Sequence, residues 1–565
     1  MKLVTVQQMR ALEQAADAQG LSYAVMMENA GQAVADWLEK SGVPGRRILV
    51  LVGPGNNGGD GLVAAHYLQQ AGALVCIYVW KRDVANDGNW QRIQKDGIQV
   101  LWSHEDQRYT GLRRAVTRAD YVLDALLGTS VSKPIVGQLQ AILAAVDRAL
   151  TSRRKRTRTI RFEYLRRPPD QPLAHSPQVI AVDVPSGLNC DTGAVDPATP
   201  TADVTLTFGF PKVGQFLFPG ASTVGELVVA DIGIPGKLAQ GVSVEVSTPD
   251  ILRGVLPRRP LDAHKGTFGK LMVVAGSVNY TGAPYLAAMA AMRAGAGLVT
   301  LAIAEVLHPA LAAKLSEATF LLLPHQMGAL VPEAVPLLRQ RLDGYEAFLL
   351  GPGLGRDPLT AEFVMRLLNL PASESHARLG FVSATARPQG VQNRLPPVVI
   401  DADALNALAD AQGWESALPV SGTTGLRQAP VVLTPHPGEM ARLCHISAAD
   451  VNADRIGVAR RSAQQWGVVV VLKGAYTVIA APDGRARVNP FATPALATAG
   501  TGDVLAGVIA SLLAQGLEAF EAATAGAYLH GLAGQMLAEE IGPAGAVAGD
   551  LLDRLPLCLR RLSGG

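Results

Sequence analysis

Short apolar runs recur along this chain, and most of them end in glycine and one or two polar residues. In the first part, Ile48–Val52, Leu74–Trp80, Tyr121–Ala125 and Val179–Val184 are rich in β-branched residues and bounded by turn formers, so they read as strands. Leu62–Gln70 and Leu139–Ala149 carry apolar residues at helical spacing. Strands alternating with helices predict a parallel sheet covered by helices. Two more β-like runs follow, Val204–Phe208 and Glu226–Asp231, and Pro235–Pro260 reads as a connector. A second α/β pattern then begins. Its strands are expected at Leu271–Ala275, Leu298–Ala302, Ala347–Leu350, Pro397–Ile400, Val431–Thr434 and Val468–Leu472. Its helices are expected at Ala283–Ala294 and Val504–Ala514.

Two stretches interrupt the alternation. Thr151–Gln178 carries RRKRTRTIRFEYLRR and then several prolines, and Pro371–Pro397 is polar with little periodicity. Both read as surface insertions. The basic one has the charge to touch RNA or acidic lipid, but runs of like charge are usually solvated. No nucleic-acid partner and no membrane partner is therefore expected.

A chain of 565 residues is too long for one ordinary core, so two or more domains are expected, and with the connector at Pro235–Pro260 they are placed at 1–240 and 241–565. The net charge of +2 favours neither nucleic acid nor membrane. Cys76, Cys190, Cys444 and Cys558 are scattered and form no C-x-x-C pair, which fits a reducing compartment. The opening MKLVTVQQMRALEQAADAQG is too polar for a secretory signal. The longest apolar stretch, Leu286–Ala304, is broken by Arg293, Gly295 and Gly297 and reads as helix, turn and strand. These features predict a cytoplasmic protein.

Chemistry concentrates where strands end. Gly53 to Gly61 read GPGNNGGDG between a strand and a helix. Such a loop offers backbone N–H groups at a helix N-terminus, and glycine lets an anion approach them. The spacing matches neither G-x-G-x-x-G nor a Walker loop. VLDALLGTSVSKP places Asp124 at a strand end, and VIAVDVPSGLNCDTG places Asp183 and Ser186 at another. In a doubly wound sheet such ends share one crevice. Asn57, Asp124 and Ser186 would meet there as oxygen donors, a set that suits a hard cation.

GPGNNGGDG, DALLGT, DVPSG and MMENAG at 26–31 together resemble the YjeF N-terminal family of NAD(P)H-hydrate epimerases, over roughly residues 1 to 240. The resemblance implies a Rossmann-like three-layer domain. It implies that Asn56, Asn57, Gly58, Gly59 and Asp60 bind the substrate phosphates. It implies substrate contacts from Gly128, Thr129, Ser130, Val131, Ser132, Lys133 and Pro134, and from Asp183 as a catalytic residue. It also implies potassium held by Asn57, Asp124 and Ser186. The chain departs from the family's common G-T-G-L at Ser130 and Val131.

The second half carries HKGTFGKLMVVAGS from His264, GPGLGRD from Gly351, VVIDADALNALA with Asp401, Asp403 and Asn406, LTPHPGEMARL with His436 and Glu439, VVVVLKGAYTVIA with Lys473, and LATAGTGDVLAG. Gly500, Thr501 and Gly502 precede an apolar helix that Asp503 opens. A helix N-terminus favours an anion, and Asp503 is placed to take a hydroxyl proton beside it. A plain capping role for Asp503 is the alternative. The set resembles the ribokinase-like superfamily and, within it, the ADP- or ATP-dependent NAD(P)H-hydrate dehydratases, over about residues 250 to 560. The resemblance implies that Ala283, Gly353, His436 and Asp503 contact the hydrated nucleotide. It assigns Lys473, Gly474, Ala475, Tyr476, Thr477 and Gly502 to ADP or ATP, taken with Mg2+. Ala499 stands where the family often has glycine.

The expected protein is an α/β enzyme that epimerises R- and S-NAD(P)HX and dehydrates the S form at the expense of ADP or ATP, as a homo-oligomer. The competing expectation is a ribokinase-like vitamin or alcohol kinase fused to a non-catalytic binding domain.

Overall fold

The computed structural model describes residues 1–130, 133–157, 178–370, 395–411, 413–417 and 429–563. It divides into two compact units, Met1–Val242 and Ser243–Gly565.

The first unit is built on a parallel seven-stranded sheet in the order β3-β2-β1-β4-β5-β6-β7. The strands are β1 (Arg47–Val52), β2 (Leu74–Val79), β3 (Gln99–Trp102), β4 (Tyr121–Ala125), β5 (Gln178–Val182), β6 (Val204–Phe208) and β7 (Glu226–Ala230). Side chains alternate across the pleat, and β1 shows both faces buried. Ile48, Val50 and Val52 join one core with Val34, Leu38, Leu62 and Leu68. Leu49 and Leu51 join the other with Leu112, Val116, Leu139 and Val146. Helices therefore cover both faces, giving three layers. Helix α1 (Val6–Ala18) starts with a capping box between Thr5 and Gln8, and α2 (Tyr23–Glu39) is capped by Ser22.

The chain moves from β1 to β2 on one side and returns to β4 on the other. The crevice beyond β1 and β4 is thus the switch point where ligands sit in such sheets. Here the structure corrects the expectation for GPGNNGGDG. Helix α3 (Asn56–Gln70) begins at Asn56 rather than Leu62, so most of the motif is helix and not loop. Its glycines answer to packing as well as to a ligand. A Cβ on Gly58 would lie 2.1 Å from the Gly53 carbonyl oxygen, one on Gly59 would lie 2.7 Å from Met27 Sδ, and one on Gly61 would lie 2.6 Å from Ala125 Cβ. On α2, a Cβ at Gly31 would lie 2.4 Å from Val63 Cβ. Close approach of α3 to α2 and to the sheet is what removed these side chains.

The second unit holds a ten-stranded sheet ordered β11-β10-β9-β14-β15-β16-β17-β18-β19-β8. The strands are β8 (Val244–Val246), β9 (Lys270–Val274), β10 (Leu298–Ala304), β11 (Thr319–Leu323), β14 (Ala347–Leu350), β15 (Val398–Ile400), β16 (Val431–Leu433), β17 (Val469–Leu472), β18 (Val478–Ala480) and β19 (Ala486–Val488). β12 (His325–Gln326) and β13 (Ala329–Leu330) form a separate hairpin. From β11 to β17 all pairs are parallel, whereas β18 runs antiparallel to both its neighbours. The switch point lies between β9 and β14. Leu286–Ala304 is helix, turn and strand, as the pattern implies.

Two other expectations change. Pro235–Pro260 is not a bare connector, because β8 within it pairs with β19 and the helix Pro249–Val255 follows. Thr151–Gln178 begins as helix, since Gln138–Thr157 is one helical element, and ends at the first residue of β5; residues 158–177, and most of Pro371–Pro397, lie outside the described residues. Among the described residues no helix is long and apolar enough to cross a membrane.

Candidate active sites

A cavity of about 1150 Å³ opens over the switch point of the first unit. Gly55, at the cap of α3, has no side chain to close the helix end, so the first-turn N–H groups stay available to a ligand. Asn56, Asn57 and Asp60 line the cavity, as do Gly128, Thr129, Ser130, Lys133 and Asp183. Gly58 and Gly59 are buried behind that lining. Val131 and Ser132 lie outside the described residues, and Pro134 is exposed.

The three expected cation ligands come together. The buried Asp124 carboxylate accepts from Ser186 N at 2.8 Å and from Ser186 Oγ at 2.6 Å. Ser186 Oγ in turn accepts from Leu127 N at 2.9 Å. Asn57 Nδ2 donates to the Leu127 carbonyl at 2.9 Å, which fixes the amide, while its Oδ1 is buried with no hydrogen-bond partner among the described residues. A buried acceptor left without a partner is unusual. Burial raises the Asp124 carboxyl, and the bonds from Ser186 and Leu126 work against that rise.

Asp183 follows β5 in a left-handed backbone conformation, φ 64°, which is rare for a residue with a side chain. Its Oδ1 accepts from Thr207 Oγ1 and Phe208 N, both at 3.1 Å, and from Lys212 Nζ in a short ion pair. Lys212 is 1% exposed and also donates to Thr207 Oγ1 and the Phe208 carbonyl. Sequence reasoning missed Lys212. The available signal was a lone lysine flanked by Phe210, Pro211 and Val213, just after a strand. Glu13 and Arg10, from α1, also line the cavity and were missed, because nothing local marks α1 as part of a site.

In the second unit, the helix Thr501–Ala514 carries Asp503 in its first turn. Gly500 caps it with φ 89°, and a Cβ there would lie 2.6 Å from Leu286 Cδ1. Burial and the Asp401 charge push the Asp503 carboxyl up to about 7, against the pull of Lys473. Lys473 Nζ lies 2.6 Å from Asp401 Oδ1 and 3.8 Å from Glu439 Oε2. Burial works against its charge, but these two carboxylates outweigh it and hold the ammonium up. Thr434 Oγ1 donates to Asp401 Oδ1 at 2.7 Å. A Cβ on Gly502 would lie 3.5 Å from Lys473 Nζ, so this ammonium sits beside the helix start.

His436 caps the helix Pro437–Cys444, its Nδ1 accepting from Gly438 N at 3.0 Å and Glu439 N at 3.3 Å. Nε2 therefore carries the ring proton. Burial, with Lys473 and Arg442 nearby, lowers its pKa. Ala283 and Gly353 meet across the switch point: a Cβ on Gly353, φ 64°, would lie 2.8 Å from Ala283 Cβ. Gly355 N donates to Asp403 Oδ2 at 2.8 Å, tying that loop to the carboxylates Asp503 feels. Lys473 to Thr477 form the turn between β17 and β18. Gly474 there has φ 137° and Tyr476 φ 52°, and Thr477 Oγ1 donates to the Gly474 carbonyl at 2.8 Å. Gly474 and Ala475 are exposed. Arg455, another residue missed, braces this turn from beneath by donating to the Leu472 and Lys473 carbonyls.

The fold and these two constellations define a two-unit α/β enzyme in which each unit presents a helix N-terminus and a carboxylate at its switch point. The family described as NAD(P)H-hydrate dehydratase matches residues 271–557, and the one described as YjeF-related protein N-terminus matches 23–214. The bifunctional NAD(P)H-hydrate repair enzyme Nnr of Moorella thermoacetica is 40% identical over 573 residues, spanning 100% of this chain and 97% of the relative. The Nnr of Escherichia coli is 31% identical, spanning 97% of this chain and 91% of the relative. The crystal structure of an ADP/ATP-dependent NAD(P)H-hydrate dehydratase from Bacillus subtilis with ATP/Mg2+ is 29% identical, over 57% of this chain and 100% of that one, with a TM-score of 0.44. The chain belongs to the bifunctional NAD(P)H-hydrate repair family.

Proposed function

We propose that this protein repairs hydrated nicotinamide dinucleotides in two steps, epimerising R- and S-NAD(P)HX in the first unit and dehydrating the S form in the second. The observation that carries it is Asp503, pushed up to about 7 beside Lys473 at a helix start, which is the equipment of a base acting next to an anion. Asp503 takes the proton of the substrate hydroxyl as that oxygen attacks the terminal phosphoryl of ADP or ATP, whose bridging P–O bond breaks to release AMP or ADP. Phosphate is then a good leaving group, and the ring nitrogen's electron pair expels it. Loss of a proton from the adjacent ring carbon restores NADH or NADPH. Lys473 and the first-turn N–H groups near Gly502 offset the charge on the phosphoryl, and Ala283, Gly353 and His436 frame the nicotinamide. Lys473 to Thr477 supply the turn that receives the nucleotide. Mg2+ would arrive on the nucleotide phosphates and would neutralise their charge.

In the first unit the α3 N-terminus takes the dinucleotide's phosphates, with Gly128, Thr129, Ser130 and Lys133 lining the same cavity. The orphaned Asn57 Oδ1, the Asp124 carboxylate and Ser186 Oγ are a fit for potassium, since one carboxylate among neutral oxygens is a weak field for magnesium. A cytoplasmic setting and self-association of the chain belong to the same reading. The assay that tests the whole proposal supplies racemic NADHX with ADP or ATP and follows NADH absorbance. Full conversion supports it, and accumulation of a phosphorylated product instead would restore the kinase alternative.

Two outcomes follow for the separate parts. Asp124→Ala weakens R-epimer conversion at least tenfold, about 1.4 kcal/mol, and leaves S-epimer dehydration unchanged. Wild-type epimerisation in potassium, sodium and caesium buffers should differ; a rate indifferent to the ion, with an unimpaired mutant, removes the cation assignment. A fragment starting at Ser243 should dehydrate only the S epimer and melt higher than one starting at Asp250, because only the longer fragment keeps β8 on the sheet edge. Equal melting temperatures would show that β8 contributes nothing.

A further inference from the structure

Asp60 does not behave as a phosphate ligand should. It lies one turn into α3, on the face it shares with Asn56 and Asn57, and it lines the cavity while being only 9% exposed. A carboxylate there would repel a phosphate held at the helix end. Its surroundings oppose ionisation: burial raises its pKa well above the ordinary aspartate value, the negative charges of Asp183 and Glu13 add to the rise, and Lys212 and Arg82 only partly offset it. Glu13, across the same cavity on α1, is raised in the same sense, by burial and then by Asp183. Burial pushes the neighbouring Cys190 thiol up to about 12, which keeps it uncharged.

Asp183 is placed in the opposite way. Three donors, Thr207 Oγ1, Phe208 N and Lys212 Nζ, converge on its Oδ1, and Oδ2 takes part in none of these bonds. The Lys212 ammonium spends its own donors on Asp183, Thr207 and the Phe208 carbonyl, so it is held in place rather than offered to a substrate. Two carboxyl groups in one cavity, one raised by burial and by its acidic neighbours and one held by a buried lysine, are a pattern for paired acid and base work.

We propose, resting on the epimerase reading above, that Asp60 and Asp183 are the acid and base of epimerisation and that Lys212 is the residue that positions Asp183. Water adds to reduced nicotinamide with its oxygen on the carbon next to the ring nitrogen, so the hydrate is a hemiaminal. Asp183 Oδ2 takes the hydroxyl proton, the carbonyl forms, and the bond from that carbon to the ring nitrogen breaks. The electron pair of that bond goes to the nitrogen, which takes the proton of Asp60. Rotation of the open aldehyde presents its other face. The nitrogen then attacks, its proton returns to Asp60, and the carbonyl oxygen recovers a proton from Asp183. Nothing is consumed, and no co-reactant is required.

The test follows interconversion of purified R- and S-NADHX by chromatography on the full chain without adenine nucleotide, so that dehydration does not run. If wild type does not exceed the uncatalysed rate, the epimerase reading itself fails. If it does, Asp60→Asn should lower kcat on the order of 100-fold with KM within a few-fold, the usual loss for a general acid. Lys212→Met should lower kcat with KM little changed; because that variant empties a buried site and can fail to fold, the near-isosteric Asp60→Asn decides alone in that case. Glu13→Gln removes one charge that raises Asp60. The alkaline limb of kcat, where Asp60 loses its proton, should therefore move to lower pH. A kcat for Asp60→Asn within threefold of wild type, or an alkaline limb that Glu13→Gln leaves in place, would overturn the proposal.

Discussion

Asp503→Asn should abolish dehydration of S-NAD(P)HX, lowering kcat on the order of 100-fold or more, while ADP or ATP still binds. The asparagine keeps the shape at the helix start and removes only the ability to take a proton. The wild-type rate carries its own signature. Asp503 works when ionised, and burial with the Asp401 charge pushes it up to about 7, so the rate should climb as pH rises through about 7 and flatten above. Initial rates from pH 5.5 to 8.5, with nucleotide affinity by calorimetry, check both parts. Turnover within tenfold of wild type, or a profile flat across neutrality, would return Asp503 to the bland reading of a capping residue.

Lys473→Met should be nearly as damaging, and for two separable reasons. The ammonium is bonded at 2.6 Å to Asp401, which is 1% exposed, so its removal strands a buried carboxylate. Breaking such a pair typically costs about 3–5 kcal/mol, and the second unit should melt earlier by denaturant titration. Lys473 also pulls the Asp503 pKa down, so the variant's remaining activity should show its pH limb above 7, displaced toward the alkaline side. A variant that is destabilised but keeps the wild-type limb would make Lys473 structural only. The paired variant Asp401→Asn with Lys473→Met separates the effects, since it removes the stranded charge and should recover stability without recovering rate.

Much of this was legible along the chain because strand ends carry local marks. The runs Tyr121–Ala125, Val204–Phe208 and Ala347–Leu350 coincide with β4, β6 and β14, since a strand buried on both faces is a short apolar run with turn residues behind it. The helix Ala519–Glu540 went unseen for the opposite reason. Sixteen of its residues are buried, leaving no polar face for helical periodicity to reveal. Helix α3 was read too short because its glycines count against helix in any propensity argument. They are tolerated since α2, β4 and Met27 leave no room for a Cβ, a fact that exists only in the packed unit.

The residues themselves determined which groups are present at each strand end: Asn57, Asp124, Asp183 and Ser186 in one unit, His436, Lys473 and Asp503 in the other. Composition and spacing were enough for the chemistry of helix ends and carboxylates to be anticipated. What those groups do to one another was decided only by the fold. Asp60 reads in sequence as part of a phosphate motif. Folding buries it near the charges of Glu13 and Asp183, which lie far from it along the chain, and that raises its pKa well above the ordinary aspartate value. Lys212 belongs to no sequence motif, and folding buries it against Asp183. The reason is that ionisation responds to burial and to charges within a few ångströms, and both are properties of residues brought together across the sheet, not of neighbours in the chain.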